Sequence, residues 1–413
     1  MVTMNSDRPV GGSSGGHQVR ILHIITRLIL GGAQENTLYT VIGQQQHPDF
    51  RVTLLVGVDD GTEGSLEEKA RAEGVDLMIL PSLIRPIRPL TDVWATWQLY
   101  KLMKAGRYDI VHTHSSKAGI VGRVAARLAG VPIVVHTLHS LVFHEYQSAW
   151  KNRLYILLKR FCAPMTDVLI SVNDMTTQGA LAAGIGHPKQ YVTVHSGFEL
   201  DRFVDVGRQI SITSAKERLG IPSEAPVVGK IARLFAQKGH DQFFEVASRI
   251  AQHNPEVRFL LVGDGPLRGA LEERARTLNL DDRVVFVGRV PPDDVPAHIQ
   301  AMDVVVHTSL REGIARVIPQ AGAVGKSVVT FELDGAPEVI QDGVSGYLVP
   351  PMDVEALADR TIDLLESPAL RSKFGQAGQE RAISMFKIET MVNKINDIYQ
   401  TLLVKHRKTV TSL

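Results

Sequence analysis

Two cations in the second half of the chain are spaced so that they could hold one phosphorylated ligand. In GKIARLFAQKGHD, Arg233 ends a predicted strand, Lys238 lies in the next loop and Gly239 opens a predicted helix. Free N–H groups and the positive end of the helix dipole would add to these two side-chain charges. The arrangement suits a diphosphate, although an ordinary solvated loop can carry the same residues.

The segment VGDGPL has the same strand–loop–helix character. Gly263 and Gly265 would let a ligand or another backbone approach closely, and Pro266 suits the first turn of a helix. Glycines that only shape a tight turn are the alternative interpretation. The segment therefore indicates a ligand site only together with the neighbouring motifs.

The segment from His307 offers a carboxylate and an amide eight positions apart. Glu312 and Gly313 precede a predicted helix that begins after Gly313 and carries Gln320. The two side chains could hold different parts of one elongated ligand while N–H groups at the helix start meet its phosphates. Alternatively, Glu312 only caps the helix.

Gly31 and Gly32 follow the first predicted strand and precede the first predicted helix, where a phosphate commonly approaches the backbone. Their spacing is not that of a dinucleotide fingerprint, and no acid ends the second strand before Gly57, so a nicotinamide cofactor is disfavoured. The tripeptide 325–327, Gly-Lys-Ser, precedes a strand rather than a helix, and we interpret it as a turn and not as a nucleotide-triphosphate loop.

Short β-branched runs alternate with stretches of helical period along most of the chain, which predicts an α/β fold with parallel, doubly wound sheets. The first half contains the runs VRILHII, RVTLLVGV, DIVHTH, PIVVHTLH, DVLISVN and YVTVHSG. The second half contains PVVGKIAR, RFLLVGDG, RVVFVGRV, DVVVHTS and SVVTFEL. We expect two Rossmann-like domains facing across a cleft at the carboxyl ends of their strands, where such sheets bind ligands.

The expected domain limits follow from a polar segment that begins at residue 204 and from the helical pattern of the C-terminus. We predict a disordered leader (1–18), an N-terminal Rossmann-like domain (19–203) and a C-terminal Rossmann-like domain (204–385). A helix that crosses back to the first domain and a basic tail (386–413) complete the chain.

Composition excludes several classes of protein. The chain has 45 Lys and Arg against 44 Asp and Glu, which argues against a broad nucleic-acid footprint. The single Cys162 rules out an internal disulfide framework and fits a reducing compartment. No run of 18 apolar residues is present to span a bilayer. We therefore expect a cytoplasmic protein whose membrane contact, if any, is peripheral, at the inner membrane face.

Taken together, these segments resemble the retaining family 4 glycosyltransferases of the GT-B fold, over nearly the whole chain. DIVHTHSSKAGIVGRVAARLAG and HTLHSLVFHEY are similar to bacterial members that build surface polysaccharides and lipid-linked glycans. The resemblance implies a retaining hexosyltransferase that takes a UDP- or GDP-type sugar as co-substrate and uses no other cofactor. It also implies that the first domain binds the acceptor and the second binds the donor.

The resemblance implies roles for individual residues. Arg233 and Lys238 would bind the donor diphosphate, Gly32 would offer its backbone to the phosphate, and Glu312 would bind the donor sugar. Position 320 would bind the ribose hydroxyls, and backbone around Val287 would contact the base. The expected donor-binding set comprises Gly31, Gly32, Gly263, Gly265, Val287, Gly313, Ile314, Arg316 and Gln320.

His139, the second histidine of HTLH, matches the family's active-site histidine near the transferred sugar. A satisfied histidine at a strand end is the alternative, and other histidines compete for the role. The rival candidates are His112, His114, His136 and His144.

Position 320 departs from the family pattern, which has glutamate where this chain has Gln320. A carboxylate accepts two hydroxyl hydrogen bonds, whereas an amide offers one acceptor and one donor, so we expect weaker ribose binding. Arg316 also stands where many relatives carry small or acidic residues, which indicates an unusual sugar pocket.

The sequence contains no Asp-x-Asp at a strand end and no His/Cys cluster with ligand spacing, so we predict no catalytic metal. Arg233, Lys238 and the N-terminus of the helix that begins after Gly313 would then stabilise the departing nucleoside diphosphate. The two flanking carboxylates of a retaining hydrolase are not evident, which favours departure and attack on the same face of the sugar.

Acceptor recognition would fall to the first domain, where SLIRPIRPL and WKNRLYILLKRF combine basic with apolar residues. The second segment, from Trp150, could contact an anionic lipid surface or a lipid-diphosphate acceptor, and an ordinary amphipathic core helix is the alternative. Two other functions remain open from sequence: a nucleotide-sugar 2-epimerase, and a sugar-nucleotide-binding protein without turnover.

Overall fold

A computed structural model describes residues 18–58, 64–143 and 148–411 of the chain. The chain forms two compact units, one made of Met1–Phe198 with Ile388–Leu413 and the other of Glu199–Lys387. Most of the leader that we predicted lies outside the described residues. Among the residues described, no helix combines the length and apolar character needed to cross a membrane.

The first unit is built on a parallel sheet in the order β3-β2-β1-β4-β5-β6-β7. Its strands are β1 (Val19–Ile25), β2 (Phe50–Val56), β3 (Asp76–Ile79), β4 (Ile110–His114), β5 (Ile133–Leu138), β6 (Val168–Ser171) and β7 (Tyr191–Thr193). Its helices are α1 (Gly32–Gln45), α2 (Glu67–Ala72), α3 (Pro89–Gly106), α4 (Ser116–Ala129), α5 (Ala149–Cys162), α6 (Asp174–Ala182) and α16 (Ile388–Thr411).

Helix α16 belongs to the core of this first unit although it is the last element of the chain. Val392, Ile395 and Tyr399 repeat at helical spacing and are buried with the apolar residues of β1 and α1. Helices α3 and α4 pack together on the other face of the sheet, around Leu99, Met103 and the apolar side of α4. Both faces of the sheet are therefore covered, which explains its nearly continuous apolar strands.

The second unit has a parallel sheet in the order β10-β9-β8-β11-β12-β13. Its strands are β8 (Val227–Ile231), β9 (Arg258–Val262), β10 (Val284–Gly288), β11 (Val304–His307), β12 (Ser327–Phe331) and β13 (Gly346–Val349). Its helices are α7 (Asp201–Gln209), α8 (Ile212–Glu217), α9 (His240–His253), α10 (Arg268–Thr277), α11 (Val295–Gln300), α12 (Val317–Val324), α13 (Ala336–Val339), α14 (Val354–Glu366) and α15 (Pro368–Phe386).

The predicted α/β class with two doubly wound parallel sheets is confirmed. Two edge strands, β3 and β13, were not among the predicted runs, because each has only four residues and too little pattern to read. The strand order reverses between β1 and β4 in the first unit and between β8 and β11 in the second. Ligands of open α/β sheets bind at such points, so the loops after these strands are the candidate ligand-binding loops.

Candidate functional site

The loop between β8 and α9 brings Arg233 and Lys238 to the switch point of the second sheet. Arg233 is exposed, and its guanidinium lies 5.3 Å from the centre of the Phe235 ring. Lys238 is mostly buried and forms an ion pair with the carboxylate of Glu312, which follows β11. The two strands that flank the switch point therefore each supply one member of the pair.

The carboxylate of Glu312 is held from two sides. Oε1 accepts the hydrogen bond of Lys238 and a second one from the Ser309 hydroxyl at 3.3 Å. A small pocket beside this carboxylate is lined by Ser309, Gly313, Asp334 and their neighbours. Glu312 is thus positioned as a fixed negative charge next to a cation, rather than as a mobile surface side chain.

The backbone around Glu312 is tied to the loop that follows β12. The Glu312 N–H donates to the Asp334 carboxylate, and the Gly335 N–H donates to the Gly313 carbonyl at 2.8 Å. Burial raises the pKa of Asp334 above its usual value, while the hydrogen bond from Glu312 acts in the opposite direction. These contacts hold residues 312–313 in a loop conformation.

Helix α12 begins at Val317, and the expected start directly after Gly313 is wrong. The Glu312 N–H bonds to Asp334 and the Gly313 C=O accepts from Gly335, so these two groups are not available for a helical turn. Pro319 falls in the first turn of the observed helix, where its missing N–H costs nothing. Glu312 therefore lies in the loop ahead of α12 and does not cap it.

Lys230, a buried lysine that was not among the predicted site residues, supports the loop between β8 and α9. The Lys230 ammonium donates to the Lys238 carbonyl at 2.8 Å and to the Thr308 hydroxyl, and it is fully buried. Burial, followed by the charge of Lys238, lowers the pKa of Lys230 to about 7, and Glu312 opposes the shift. The lysine joins the loop after β8 to the end of β11.

Gly239 is required where α9 begins. Its φ of +62° is in the left-handed region, and a Cβ there would lie 1.8 Å from the Thr308 carbonyl oxygen. Only glycine fits this conformation and this approach. The close contact brings the N-terminus of the 14-residue helix α9 next to Lys238 and Arg233.

The two glycines of VGDGPL make a tight turn against the β8 loop. A Cβ at Gly263, where φ is +138°, would lie 2.0 Å from the Ala232 carbonyl oxygen, and one at Gly265 would lie 2.7 Å from that of Leu234. The Gly263 N–H also donates to the Gly288 carbonyl at 2.8 Å, next to Val287 in β10. These glycines serve the packing of three neighbouring loops.

The remaining expected donor-binding residues lie on the loop and helix after Glu312. Ile314 and Arg316 are partly exposed in the loop, and Gln320 is partly exposed on α12. The Gln320 N–H bonds to the Arg316 carbonyl at 3.1 Å in the first turn of the helix. Their roles stay predictions.

In the first unit, Gly31 and Gly32 lie after β1, with Gly32 as the first residue of α1. Gly31 is extended, with a φ of 173°, and its carbonyl accepts the Glu35 N–H at 2.9 Å. Both glycines are partly or fully exposed, so this turn lies at the surface of the first unit.

His139 follows β5 and is partly exposed, and its ring joins a group of buried histidines from β1 and β4. The His139 Nε2 atom is 3.3 Å from Nδ1 of His114, whose Nε2 is 3.0 Å from Nδ1 of His23. Burial lowers the pKa of His139 to about 4. His136 bonds to Thr113 instead.

The sequence spacing did not show that histidines from two strands meet. One nitrogen from each of His23, His112 and His114 lies within 4.8 Å of the others, a spacing that could hold a metal ion. Of the rival histidines, His144 lies outside the described residues. The other three are fully buried in the sheet, whereas His139 reaches its carboxyl edge.

Four residues contribute to the site but were not predicted from the sequence: Lys230, Thr308, Ser309 and Asp334. Each sits one to three residues from a strand end, and Asp334 has a φ of +51°, a left-handed conformation that aspartate tolerates better than most residues. A lysine inside an apolar strand, as in VVGKI, is the one signal that could have selected Lys230.

Two family models match the chain and together cover most of it. Residues 31–197 match the model described as "Glycosyl transferase 4-like domain", and residues 211–381 match "Glycosyl transferases group 1". The chain is 29% identical over 393 residues to the UDP-Gal:alpha-D-GlcNAc-diphosphoundecaprenol alpha-1,3-galactosyltransferase of Escherichia coli, covering 94% of this chain and 98% of the relative. It is 27% identical to the D-inositol 3-phosphate glycosyltransferase of Acidothermus cellulolyticus, covering 98% of this chain and 89% of the relative.

Solved structures show the same fold. The Anabaena protein HepE, crystallised with UDP, matches with a TM-score of 0.77 at 22% identity, over 93% of this chain and 100% of that one. A glycosyltransferase from Rickettsia africae matches with a TM-score of 0.79 at 20% identity, over 94% and 99% of the two chains. The family matches, the relatives and the two doubly wound sheets agree: the chain belongs to the family 4 glycosyltransferases of the GT-B fold, enzymes that use nucleotide-sugar donors.

Proposed function

We propose that this glycosyltransferase moves a hexose-type sugar from a UDP-type donor to a lipid-linked or other glycan acceptor, with retention of configuration and without a metal. GDP-type donors and small-molecule acceptors are the nearest variants of the proposal. The observation that carries it is the Lys238–Glu312 ion pair beside the N-terminus of α9, at the switch point of the second sheet. Such a place combines fixed cations, helix N–H groups and a carboxylate that can accept sugar hydroxyls.

In this proposal, Arg233, Lys238 and the α9 N-terminus bind the donor diphosphate and stabilise the charge that develops as it leaves. Three positive groups on one loop and the helix that follows it can supply the electrostatic stabilisation that a metal provides in other enzymes. Gly32 offers its backbone N–H to a phosphate oxygen, and Gly31 precedes it in extended conformation. The loop glycines Gly263 and Gly265 bring the neighbouring backbone close.

Glu312 would bind the hydroxyls of the donor sugar, and His139 would lie near the transferred sugar. Gln320 would bind the ribose, less tightly than the family's glutamate, and backbone near Val287 would contact the base. Gly313, Ile314 and Arg316 would line the sugar pocket. These roles rest on the family pattern and on the positions of the residues after their strands.

Retention is proposed from the family resemblance, and the hydrogen bonds of the Glu312 carboxylate bear on its route. Because Lys238 and Ser309 both bond to Oε1, we assign this carboxylate to orienting the sugar and not to attacking its anomeric carbon. Retention without a nucleophile from the protein then requires departure and attack on the same face: the acceptor oxygen forms its bond to the anomeric carbon as the bond to the phosphate oxygen breaks. The acceptor's proton passes to the departing phosphate.

The lipid-linked acceptor is proposed from the Escherichia coli relative, whose name specifies a diphosphoundecaprenol-linked substrate, and from an apolar stripe on α5. Trp150, Leu154, Leu157 and Phe161 recur at helical spacing, and all four are exposed, Trp150 by 64% and Leu157 by 61%. Basic residues, among them Lys151, lie on the same helix. This combination suits the interface of an anionic membrane.

Helix α3 carries a second exposed stripe in the same layer of helices. Leu90 is 89% exposed, and Trp94 and Trp97 stack with ring centres 4.7 Å apart. Lys101 lies 3.8 Å above the Trp97 ring. Tryptophan beside lysine is typical of the membrane–water interface, so α3 and α5 together support peripheral contact of the first unit with lipid.

The membrane proposal predicts that replacing Trp150 and Leu157 with serine weakens sedimentation with anionic vesicles by at least tenfold. Each side chain would lose about 1.5–3 kcal/mol of apolar burial in the lipid interface. Val404→Ser is the matched control, because Val404 is exposed on α16 away from both stripes. Vesicles of phosphatidylglycerol should bind the wild type, and no binding to them would contradict the proposal.

The function itself is tested by melting the full chain with UDP, GDP and ADP and with their sugars. A nucleotide at about 100 times its Kd should raise the melting temperature by roughly 5–10 °C, and we expect UDP to do so. The double variant Arg233→Ala/Lys238→Ala should lose this shift. If no nucleotide stabilises the wild type, or the double variant still responds, the donor-site assignment fails.

The relatives named above are transferases, so a 2-epimerase is not favoured. Incubation of the stabilising donor with and without a diphosphoundecaprenol-linked acceptor separates the two reactions. Transfer requires the acceptor and gives a new glycosidic product. An epimerised sugar formed from the donor alone would contradict the proposal.

A further inference from the structure

We propose that Gln44, His23 and His114 form a relay of hydrogen bonds that fixes which nitrogen of His139 carries its proton. The relay makes His139 an acceptor for a hydroxyl hydrogen and not a donor to a phosphate. Its catalytic consequence rests on the proposed function, which puts His139 near the transferred sugar. The relay itself rests only on geometry within the first unit.

The four side chains form a continuous line across the switch point between β1 and β4. Gln44 Oε1 on α1 is 2.8 Å from His23 Nε2 on β1. His23 Nδ1 is 3.0 Å from His114 Nε2 on β4, and His114 Nδ1 is 3.3 Å from His139 Nε2 after β5. The first three residues are fully buried, so water does not compete for the bonds among them.

The direction of the relay follows from the chemistry of the amide. Gln44 Oε1 only accepts, so His23 carries its proton on Nε2 and presents a lone pair at Nδ1. His114 must then donate from Nε2 and accept at Nδ1. His139 donates from Nε2, which leaves Nδ1 as its lone-pair nitrogen. One amide oxygen thereby orders the protons of three rings.

Gln44 is itself held by the C-terminal helix. Its Nε2 donates to Asn396 Oδ1 on α16 at 3.0 Å, and both side chains are buried. This bond turns the amide so that its oxygen faces His23. The last helix of the chain thus reaches the candidate active-site histidine through four hydrogen-bonded side chains, Asn396, Gln44, His23 and His114.

The relay requires neutral rings, because a doubly protonated imidazole cannot accept. Burial lowers the pKa of His23 to about 4, with the bond to Gln44 opposing the shift. Burial also lowers the pKa of His139 to about 4 and that of His114 well below its usual value, where the neighbouring histidines add to the effect. At neutral pH each ring therefore holds one proton.

His112 packs against the relay and is connected to it only through the Tyr399 hydroxyl, which is also 3.5 Å from His23 Nε2. Its ring centre is 4.2 Å from that of His114, while Nδ1 bonds to the Tyr399 hydroxyl at 2.5 Å and Nε2 to the Thr137 hydroxyl at 2.7 Å. Both nitrogens of His23, His112 and His114 thus have protein partners. A metal ion bound by these three rings would have to replace existing hydrogen bonds, which favours the relay.

The ordered proton has a chemical consequence at the sugar. A neutral imidazole whose second nitrogen carries a lone pair accepts a hydroxyl hydrogen. It repels a phosphate oxygen, because that oxygen is also an acceptor. The relay therefore assigns His139 to a hydroxyl of the donor sugar or the acceptor and not to the diphosphate. Gln44, His23 and His114 are positioning residues for that contact.

Nitrogen-15 spectra of the full chain, labelled on histidine side chains, test the relay directly. Long-range correlations distinguish the two neutral tautomers, and His139→Gln assigns the signal. We expect His139 of the wild type to be the Nε2–H tautomer, and Gln44→Leu to give a mixture of tautomers. Gln44→Glu keeps an acceptor oxygen toward His23 and should retain the Nε2–H form.

Turnover of the UDP-sugar that stabilises the protein best tests the consequence. Gln44→Leu should lower kcat about tenfold while KM for the donor and Kd for UDP stay within twofold, and Gln44→Glu should restore part of the loss. His136→Gln is the matched control, since His136 is a buried histidine on β5 that bonds to Thr113 outside the relay. It should change neither the tautomer nor kcat.

Three results would overturn the relay: an Nδ1–H tautomer of His139 in the wild type, a tautomer unchanged by Gln44→Leu, or signals of His23, His112 and His114 that carry metal-induced shifts and respond to a chelator. A tautomer that moves without any change in kcat overturns the assignment of His139 to a hydroxyl. In that case the relay stands and the placement of His139 in the proposed function fails. The two failures are thus distinguishable.

Discussion

Lys238→Ala is expected to lower kcat/KM for the nucleotide-sugar by about 10²- to 10³-fold, which corresponds to about 3–4 kcal/mol. Lys238 is the cation that lies both beside the α9 N-terminus and against Glu312, so its loss removes charge from the diphosphate and leaves the carboxylate unpaired. An unpaired negative charge next to a phosphate group repels the donor as well. Steady-state kinetics with the stabilising donor measure the effect.

Arg276→Ala is the matched control for Lys238→Ala. Arg276 also forms an ion pair with a glutamate, Glu273, but both side chains are exposed on α10. Exposed pairs contribute about 0–1 kcal/mol to stability, and this pair is remote from the switch point, so kcat/KM should not change. A wild-type rate for Lys238→Ala, or an equal loss in both variants, would contradict the role given to the pair.

Gly239→Ala is expected to destabilise the second unit by about 2–5 kcal/mol and to abolish the binding of UDP. The left-handed backbone costs about 1–2 kcal/mol for a residue with a Cβ. The contact of that Cβ with the Thr308 carbonyl oxygen, 1.8 Å away, adds about 1–3 kcal/mol of overpacking. The backbone must shift to relieve it, and this shift displaces the α9 N-terminus from Lys238.

Gly220→Ala separates the two costs. Gly220 has nearly the same φ, +68°, but a Cβ there would meet nothing within 4 Å. The variant Gly220→Ala should be destabilised only by the left-handed backbone conformation and should still bind UDP. We expect Gly239→Ala to melt roughly 2–12 °C below Gly220→Ala, as followed by a thermal-shift assay. Equal melting temperatures would show that Thr308 does not constrain position 239.

Local sequence patterns predicted part of the candidate site in the second unit. Arg233, Lys238 and Glu312 were selected because each follows a strand of a doubly wound sheet, and the structure brings Lys238 and Glu312 together. It also puts Arg233 on the same loop as Lys238. The start of α12 was predicted incorrectly, because the residues that hold Glu312 and Gly313 out of the helix, Asp334 and Gly335, are some twenty positions later in the chain. No local pattern reports such a contact.

The histidines illustrate the same limit in the first unit. His139 was distinguished from its rivals by its family motif, and the partial exposure of the residue is consistent with that choice. Its connection through His114 and His23 to Gln44, and on to Asn396, joins residues from five different elements. These residues lie far apart in the sequence, and no local pattern connects them, so neither their contact nor their order could be predicted from it.

The sequence alone determined the α/β class, the two doubly wound sheets and the family, because these depend on hydrophobic periodicity and on motifs of adjacent residues. Tertiary structure alone decided the partners: Lys238 with Glu312, Gly239 against Thr308, and the line from Gln44 to His139. The physical reason is that a strand's burial is set by its own residues, whereas a hydrogen bond or ion pair needs two groups to meet. The topology of the sheet, and not the spacing of the residues along the chain, brings them within reach.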